Sequence, residues 1–253
     1  MTPKPKELKL GEFSAGGIQR QLSQEGGKFQ RYVRWTVGSQ SLGHLVIYEF
    51  VLLLSNIFRH SLGNQIRQFL YPLIFAEIGR DCRFGDNMII YCPKQIKIGN
   101  HVTIGENVFF SVKGSKASIV IDDHVSIGAG TIVNTIGGVL RIGSGTTIGK
   151  NCRLGSSLGF TIGENSYISD ECCVVSAGHA YDRKDLPIIA QPLTCRGANS
   201  VGDKVTIGKG ATIRDGVHIG SGSIISKHAL VLSDVAPDSV MHGVPAKPKE
   251  KIA

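Results

Sequence analysis

The chain has 253 residues, which is long enough for a sizeable core, but aromatic side chains make up only 7% of it and it has a single Trp. The 32 glycines predict many tight corners and exclude a bulky aromatic core. The formal charge is +8, but the surplus lies in the first 34 residues and at Lys247, Lys249 and Lys251, without the interleaved aromatics that stack bases, so nucleic-acid binding is not expected.

The first 77 residues divide into two segments. Residues 1–30 are rich in Lys, Gly, Ser and Gln and have no hydrophobic period, which predicts a flexible basic arm. Residues 31–77 are strongly apolar with helical spacing, which predicts a segment of two or three helices. Glu49 interrupts the apolar run and Arg59 ends it, so the run is shorter than the roughly 20 residues of a membrane-spanning helix. A signal peptide is not indicated either.

The helical segment has two interpretations. It is either a cap that covers the first turn of a repeat domain, because solenoids need covered edges, or an interfacial anchor. In the second case residues 43–75, with Arg34 and Arg59 near their apolar faces, hold a cytoplasmic protein peripherally on the inner face of a membrane that carries a lipid-linked acceptor.

From Ile78 onward an aliphatic residue, occasionally Phe or Cys, returns at every sixth position, often followed by Gly. This period predicts a parallel β-helix over 78–232, in which three short strands make one turn, followed by a C-terminal tail over 233–253. We expect Gly after the leading residue because it tolerates corner backbone angles that a Cβ forbids. The leading residues are Ile78, Phe84, Ile90, Ile98, Ile104, Phe110, Ile121, Ile127, Val133, Ile142, Ile148, Leu154, Ile162, Ile168, Val174, Cys195, Val201, Ile207, Ile213, Ile219 and Ile225.

Longer steps interrupt the period after every third strand, at 110–121, 133–142 and 154–162. The extra residues are therefore expected to leave the β-helix at one corner. The largest step, from Val174 to Cys195, spans twenty-one residues. Long insertions in rigid repeats are usually functional, so the loop 179–194 is the candidate for the chemistry.

The cysteines do not resemble a disulfide framework. Cys82, Cys152 and Cys172 each lie four residues after a leading Ile, where other turns have Val, Thr, Ser or Ala. A small buried residue of a reduced, cytosolic protein accounts for them. No CxxC spacing occurs, so we expect no zinc site.

With these residues in view, the chain resembles the left-handed β-helix, hexapeptide-repeat acyltransferases, most of all the sugar and polysaccharide O-acetyltransferases related to galactoside and maltose acetyltransferases. The resemblance covers about 78–251. His179 follows Ser-Ala-Gly where that family has its catalytic base, and the segment 187–192 closes the loop as in the sugar enzymes. The segments 219–227 and 243–247 match those that hold coenzyme A.

The resemblance implies a homotrimer with active sites in the grooves between neighbouring β-helices and acetyl-CoA as cosubstrate. We expect no metal, because the sequence lacks zinc-ligand spacing. The resemblance also implies His179 as the general base for direct attack of an acceptor hydroxyl on the thioester, a step for which a histidine is suited near neutral pH. Asn151 matches a residue that contacts the acceptor. The residues that match coenzyme A contacts are Ser221, Ser226, Lys227 and Lys247.

Two departures from the family leave the acceptor open. Ser156 and Ser157 stand where the galactoside-type enzymes have an acidic pair, and Ser200 stands where a Trp is usual. A sugar, oligosaccharide or polysaccharide precursor is the expected acceptor. Serine, an antibiotic or an amino-sugar nucleotide are alternatives.

Other functions of the same fold fit less well. γ-Class carbonic anhydrases bind zinc through three histidines, two of them five residues apart, and the histidines of this chain lack that spacing. A nucleotidyltransferase needs a Gly-rich domain, for which residues 1–77 are too few. A non-catalytic β-helix scaffold predicts a disrupted loop or tail, and both are intact.

Overall fold

A computed structural model of the chain describes residues 8–9, 27–39, 41–175 and 177–249. Within these residues, three α-helices precede a parallel β-helix of about seven turns. The helices are α1 (Lys28–Val37), α2 (Leu42–Ile57) and α3 (His60–Leu70). Short 3-10 turns lie at Tyr71–Leu73, Pro93–Gln95 and Ile188–Ala190.

Three sheets form the walls of the β-helix and are numbered I to III in the order in which the chain enters them. Sheet I contains β2 (Glu77–Ile78), β5 (Ile96–Ile98), β8 (Ser118–Ile121), β11 (Val139–Ile142), β14 (Phe160–Ile162), β19 (Asn199–Val201) and β22 (His218–Ile219). Sheet II contains β3 (Arg83–Phe84), β6 (Thr103–Ile104), β9 (Ser126–Ile127), β12 (Thr147–Ile148), β15 (Tyr167–Ile168), β20 (Thr206–Ile207), β23 (Ile224–Ile225), β25 (Val240–His242) and the antiparallel β26 (Lys247–Pro248). Sheet III contains β4 (Ile89–Tyr91), β7 (Phe109–Val112), β10 (Ile132–Thr135), β13 (Arg153–Ser156), β16 (Cys173–Val174), β21 (Thr212–Ile213) and β24 (Leu230–Val231).

The six-residue period builds the core, because each leading residue stacks on the equivalent residue of the next turn. In sheet I, Ile121 pairs in register with Ile142, which pairs with Ile162, and all three are buried. Cys152 and Cys172 fill the small inward positions and are buried free thiols. The expected fold class, a parallel β-helix with an N-terminal helical segment, is confirmed.

The glycines after the leading residues are explained by close packing rather than by backbone angle, which corrects our expectation. Gly99 is not among the residues with positive φ, whereas His101 further round the same corner has φ 56°. A Cβ on Gly99 would lie 2.3 Å from Oδ1 of Asp123 in the next turn. The adjacent turns approach so closely that no side chain fits there.

The insertions leave as expected, all at the corner between sheets III and I. The steps after β7, β10, β13 and β16 each lead from sheet III to sheet I. One assignment was wrong: Cys195 is not a leading residue of the β-helix. It lies in β18 (Leu193–Cys195), which pairs antiparallel with β17 (Gly178–His179), and the β-helix resumes in β19. The loop therefore runs from Val175 to Ala198, longer than expected.

The helical segment covers the open edge of the first turn. Nε of Arg67, a fully buried side chain, donates to the Phe84 carbonyl, and the Phe84 amide donates to Oδ1 of Asn64. The Tyr48 hydroxyl donates to the Ile90 carbonyl at 2.7 Å. These bonds satisfy edge groups that the β-helix leaves without a strand partner, as the cap interpretation expects. Among the described helices, none is long and apolar enough to span a bilayer.

Two residues of the N-terminal arm depart from the expected lack of structure. Leu8 and Lys9 form β1 (Leu8–Lys9), which pairs antiparallel with β18. The helical segment begins at Lys28 rather than at residue 31. The rest of the predicted flexible arm before residue 27 lies outside the described residues.

Candidate functional site

His179 lies at the end of β17, on the insertion that leaves the III–I corner after β16. Its Nδ1 is 3.0 Å from the main-chain oxygen of Gln191. Because a carbonyl oxygen only accepts, Nδ1 carries the proton in this bond and Nε2 of the neutral ring keeps its lone pair. The side chain is half-buried. The geometry therefore presents an oriented imidazole with a basic nitrogen.

Gln191 organises the loop around this histidine. Its side chain is 1% exposed. Oε1 accepts from the Arg183 amide at 3.2 Å, and Nε2 donates to the carbonyls of Arg183 at 2.8 Å and Leu186 at 3.2 Å. The amide group thus closes residues 183–191 into a compact turn and fixes the carbonyl that orients His179. The sequence pointed to the segment 187–192 but not to this role.

Two sets of contacts hold the C-terminal part of the loop, where the chain returns to the β-helix. β18 is the central strand of a three-stranded sheet, with β17 on one side and β1 on the other. Further on, the amide of Arg196 donates to Asp215 Oδ2 at 2.7 Å, and Nδ2 of Asn199 donates to the Arg214 carbonyl at 2.8 Å. These contacts connect β17, which carries His179, to the β-helix through β18.

The predicted coenzyme A residues lie at the C-terminal end of the β-helix, around sheet II. Ser221 is at the I–II corner, where its Oγ accepts from the Asp203 amide at 3.0 Å. Ser226 and the exposed Lys227 are at the II–III corner. Lys247 is in β26, paired with His242.

A cavity of about 470 Å³ lies in the C-terminal tail. It is lined by His242, Gly243, Pro245, Lys247, Pro248 and Lys249. Two lysine side chains at one cavity make it favourable for anionic groups. Lys251, the other tail lysine, lies outside the described residues.

Asn151 occupies the II–III corner with φ 56°. Its amide oxygen lies over Gly130, where a Cβ would be 2.3 Å away, and Asn165 lies over Gly145 in the same manner. This geometry gives Asn151 a corner role, and its contact with the acceptor stays a prediction. The corner of His228, which also holds Ser226 and Lys227, lies three turns further along the β-helix. Main-chain hydrogen bonds connect each of these turns to the next, so the distance from Asn151 is about 14 Å.

The predicted residues thus fall into two groups within one chain. His179 lies on the loop of the III–I corner, whereas Asn151, Ser226 and Lys227 share the II–III corner across sheet II from Ser221. The structure brings His179 together with Gln191 but places the cofactor residues on a different side of the β-helix.

The two serines that replace the acidic pair lie on the same corner as the histidine loop, one turn earlier. Both are buried, and Ser156 Oγ accepts from the Gly159 amide at 3.0 Å. This edge next to the loop therefore has hydroxyl groups and no carboxylate at these two positions. Among the described residues, no group of three or more His, Cys, Asp or Glu is arranged to hold a metal ion.

Comparisons with known families agree with the fold. The family described as bacterial transferase hexapeptide (six repeats) matches residues 200–233, and the hexapeptide repeat of succinyl-transferase matches residues 139–169. Over these two segments the chain is similar to hexapeptide-repeat transferases.

Curated relatives carry acyltransferase names. A probable acetyltransferase of Mycobacterium tuberculosis is 27% identical over 146 residues, which cover 58% of this chain and 48% of that protein. Galactoside O-acetyltransferase of Escherichia coli is 29% identical over 210 residues, which cover 81% of this chain and 75% of that protein. The chain spans about half the length of most of the curated relatives that it matches.

Solved structures share the β-helix. The polySia-specific acetyltransferase NeuO superposes with a TM-score of 0.52 at 19% identity, covering 68% of this chain and 80% of that one. AntD, an N-acyltransferase from Bacillus cereus crystallised with dTDP and coenzyme A, superposes with a TM-score of 0.50 at 20% identity. The match covers 72% of this chain and 88% of that one. The enzyme class of these relatives and neighbours is the one expected from the sequence.

Proposed function

We propose that the protein is an acetyl-CoA-dependent O-acetyltransferase that acts on a hydroxyl of a sugar, oligosaccharide or polysaccharide precursor. The observation that carries the proposal is the bond from Nδ1 of His179 to the Gln191 carbonyl, which leaves Nε2 as an oriented base. The names of the relatives support the acetyl group and the sugar-type acceptor.

In the proposed reaction, Nε2 of His179 takes the proton of the acceptor hydroxyl as its oxygen attacks the thioester carbonyl. The tetrahedral oxyanion accepts a hydrogen bond from a backbone N–H at a Gly-rich corner. When the intermediate collapses, the C–S bond breaks, and the imidazolium returns the proton to the leaving thiolate. The products are the acetyl ester and free coenzyme A, without an acyl-enzyme.

The C-terminal end of sheet II is the proposed coenzyme A site. Lys227 and Lys247 act on phosphate oxygens as point charges, and Ser221 and Ser226 contribute from the two corners that flank the sheet. The cavity beside Lys247 supports this assignment. An N-acyltransferase of the same fold binds coenzyme A.

The separation of the two groups supports a site shared between copies. His179 and Lys227 lie on different corners of one β-helix, so a neighbouring copy that presents its sheet II end to the loop would complete the site. We therefore propose the homotrimer expected from the family, in which each groove combines His179 of one copy with the cofactor residues of the next. The free cysteines support the proposed cytoplasmic location.

Release of free thiol from acetyl-CoA tests the activity, with sugars, oligosaccharides, serine and chloramphenicol as acceptors. The proposal expects release that depends on one acceptor class, with sugars preferred. Release with chloramphenicol or serine alone would keep the reaction but reject the acceptor. Failure to bind acetyl-CoA would favour the scaffold interpretation.

Mixed assemblies test the shared site. A His179→Ala chain and a Lys227→Glu, Lys247→Glu chain are each expected to be nearly inactive at low acetyl-CoA. Co-expression should restore about a quarter of the wild-type activity, because random neighbours form one intact groove in four. No recovery from mixed assemblies of confirmed composition would place both groups in one chain.

A further inference from the structure

One face of α2 is apolar and has no partner within the chain. The helix buries Tyr48, Val51 and Ser55 on its inner face, where the Tyr48 hydroxyl donates to the Ile90 carbonyl of the first turn. The opposite face carries side chains three or four residues apart, which places them in one stripe along the helix. These residues, 55–66% exposed, are Leu42, Val46, Phe50, Leu53 and Ile57.

A second apolar stripe follows on the neighbouring helix. Leu62 of α3 is followed at helical spacing by Phe69 and, in the 3-10 turn, by Leu73, and these side chains are 53–80% exposed. The cap does not need them for its core, which Tyr71 and Phe75 already fill. A water-facing helix ordinarily has polar side chains at such positions, so two adjacent apolar stripes mark a contact surface.

The charges around the stripes identify the partner. Residues 28–75 contain one acidic residue, Glu49, which accepts from the Tyr32 hydroxyl at 2.9 Å, and five basic residues, of which Arg67 is buried and paired with Asp86. Exposed Arg59 directly follows Phe58, between the two helices. Exposed Lys94 donates through Nζ to the Leu73 carbonyl at 3.1 Å, at the end of the second stripe. Cations beside an apolar face suit anionic headgroups above acyl chains.

We propose that the stripes of α2 and α3 seat the protein on an anionic lipid bilayer, with the helices lying in the interface. A second copy docking through the same surface would bring like charges together, which opposes that alternative. The surface lies at the β3 end of sheet II, and the proposed cofactor site lies at the β25 end, about 34 Å away. Membrane contact therefore leaves the cofactor end in water.

Co-sedimentation of the full chain with vesicles tests the proposal. Vesicles of phosphatidylcholine mixed with phosphatidylglycerol should bind the wild type, and pure phosphatidylcholine should bind it at least tenfold more weakly. The Phe50→Ser, Leu53→Ser variant should lose about tenfold or more in binding to the anionic vesicles. Its thermal midpoint should remain unchanged, because both side chains are mostly exposed.

Two further variants keep the result specific. An Ile89→Ser, Val139→Ser control removes two half-exposed apolar side chains from the β-helix and should bind within twofold of the wild type. Arg59→Glu should weaken binding only to anionic vesicles. The inference is overturned if wild-type protein stays in the supernatant with both vesicles or if Phe50→Ser, Leu53→Ser binds normally. It is equally overturned if that variant only lowers the oligomeric mass, which would identify a second copy as the occupant.

Discussion

Nδ1 of His179 and the main-chain oxygen of Gln191 form a 3.0 Å hydrogen bond across the mouth of the insertion loop. The side chain of Gln191 holds the same loop from inside through three bonds, while its main chain orients the imidazole. One buried residue therefore links the folding of the loop to the direction of the catalytic nitrogen.

Replacing Gln191 by Leu should lower kcat by about 10²-fold, because a misplaced base no longer meets the acceptor proton. The KM for acetyl-CoA should change little, since the cofactor residues lie on another corner. Steady-state thiol release measures both constants.

Gln68→Leu is the matched control, because Gln68 also donates to a carbonyl, that of Cys82, but in the helical cap. It should retain kcat. A Gln191→Leu enzyme that keeps wild-type kcat, or that changes only the KM for acetyl-CoA, would show that the loop does not depend on this side chain.

Lys227→Met and Lys247→Met should each weaken acetyl-CoA binding by about fivefold, because exposed cations contribute modestly to phosphate binding. Dephospho-CoA distinguishes the phosphates: a lysine that contacts the 3′-phosphate loses its effect with that analogue. Calorimetric titration measures the affinity for acetyl-CoA and for dephospho-CoA. Lys97→Met, on an exposed lysine at the opposite end of the β-helix, is the control and should bind like the wild type. Unchanged affinity in both test variants would remove these lysines from the cofactor site.

The pair of Arg67 and Asp86 should control acid stability of the cap. Burial raises the pKa of Asp86, but hydrogen bonds from the His60 amide and Arg67 outweigh it, so the pKa lies below the usual 3.8. A depressed pKa stabilises the fold above the unfolded value, and this contribution is lost as the pH falls through the folded value. Asp86→Asn should therefore lower the free energy of unfolding by about 3 kcal/mol at neutral pH, because Arg67 is buried.

Denaturant unfolding across the acidic range measures this effect. The difference in free energy of unfolding between wild type and Asp86→Asn should shrink as the pH falls below 3.8. Asp185→Asn is the control, because Arg183 also lowers the pKa of Asp185 but this pair is exposed. This substitution should lower the free energy of unfolding much less than Asp86→Asn does. If the difference in free energy of unfolding persists unchanged at low pH, the destabilisation comes from altered packing of the side chain and not from loss of its charge.

The sequence predicted the wall of this protein better than its loop. A six-residue period is a local signal, so residues such as Ile142 and Ile162 could be placed in register without knowledge of the fold. Cys195 was misplaced because it is small, buried and six residues before Val201, which imitates a leading residue. Only the pairing of β18 with β17 separates the two cases.

Long-range contacts account for the other gaps. The pairing of Leu8 with Cys195 joins residues far apart in the chain, and nothing near Leu8 signals it. The role of Gln191 depends on the carbonyls that the loop turns toward it. The apolar character of α2 was readable, but which face stays exposed depends on where Tyr48 and Val51 pack.

Calorimetric titration of acetyl-CoA into wild type and His179→Ala, paired with thiol release on the preferred acceptor, tests the central claim most directly. Both proteins should bind acetyl-CoA with similar affinity, and His179→Ala should release thiol about 10²- to 10⁴-fold more slowly, because only the general base is lost. A His179→Ala enzyme that binds acetyl-CoA and keeps the wild-type rate would contradict the assignment of His179 as the base.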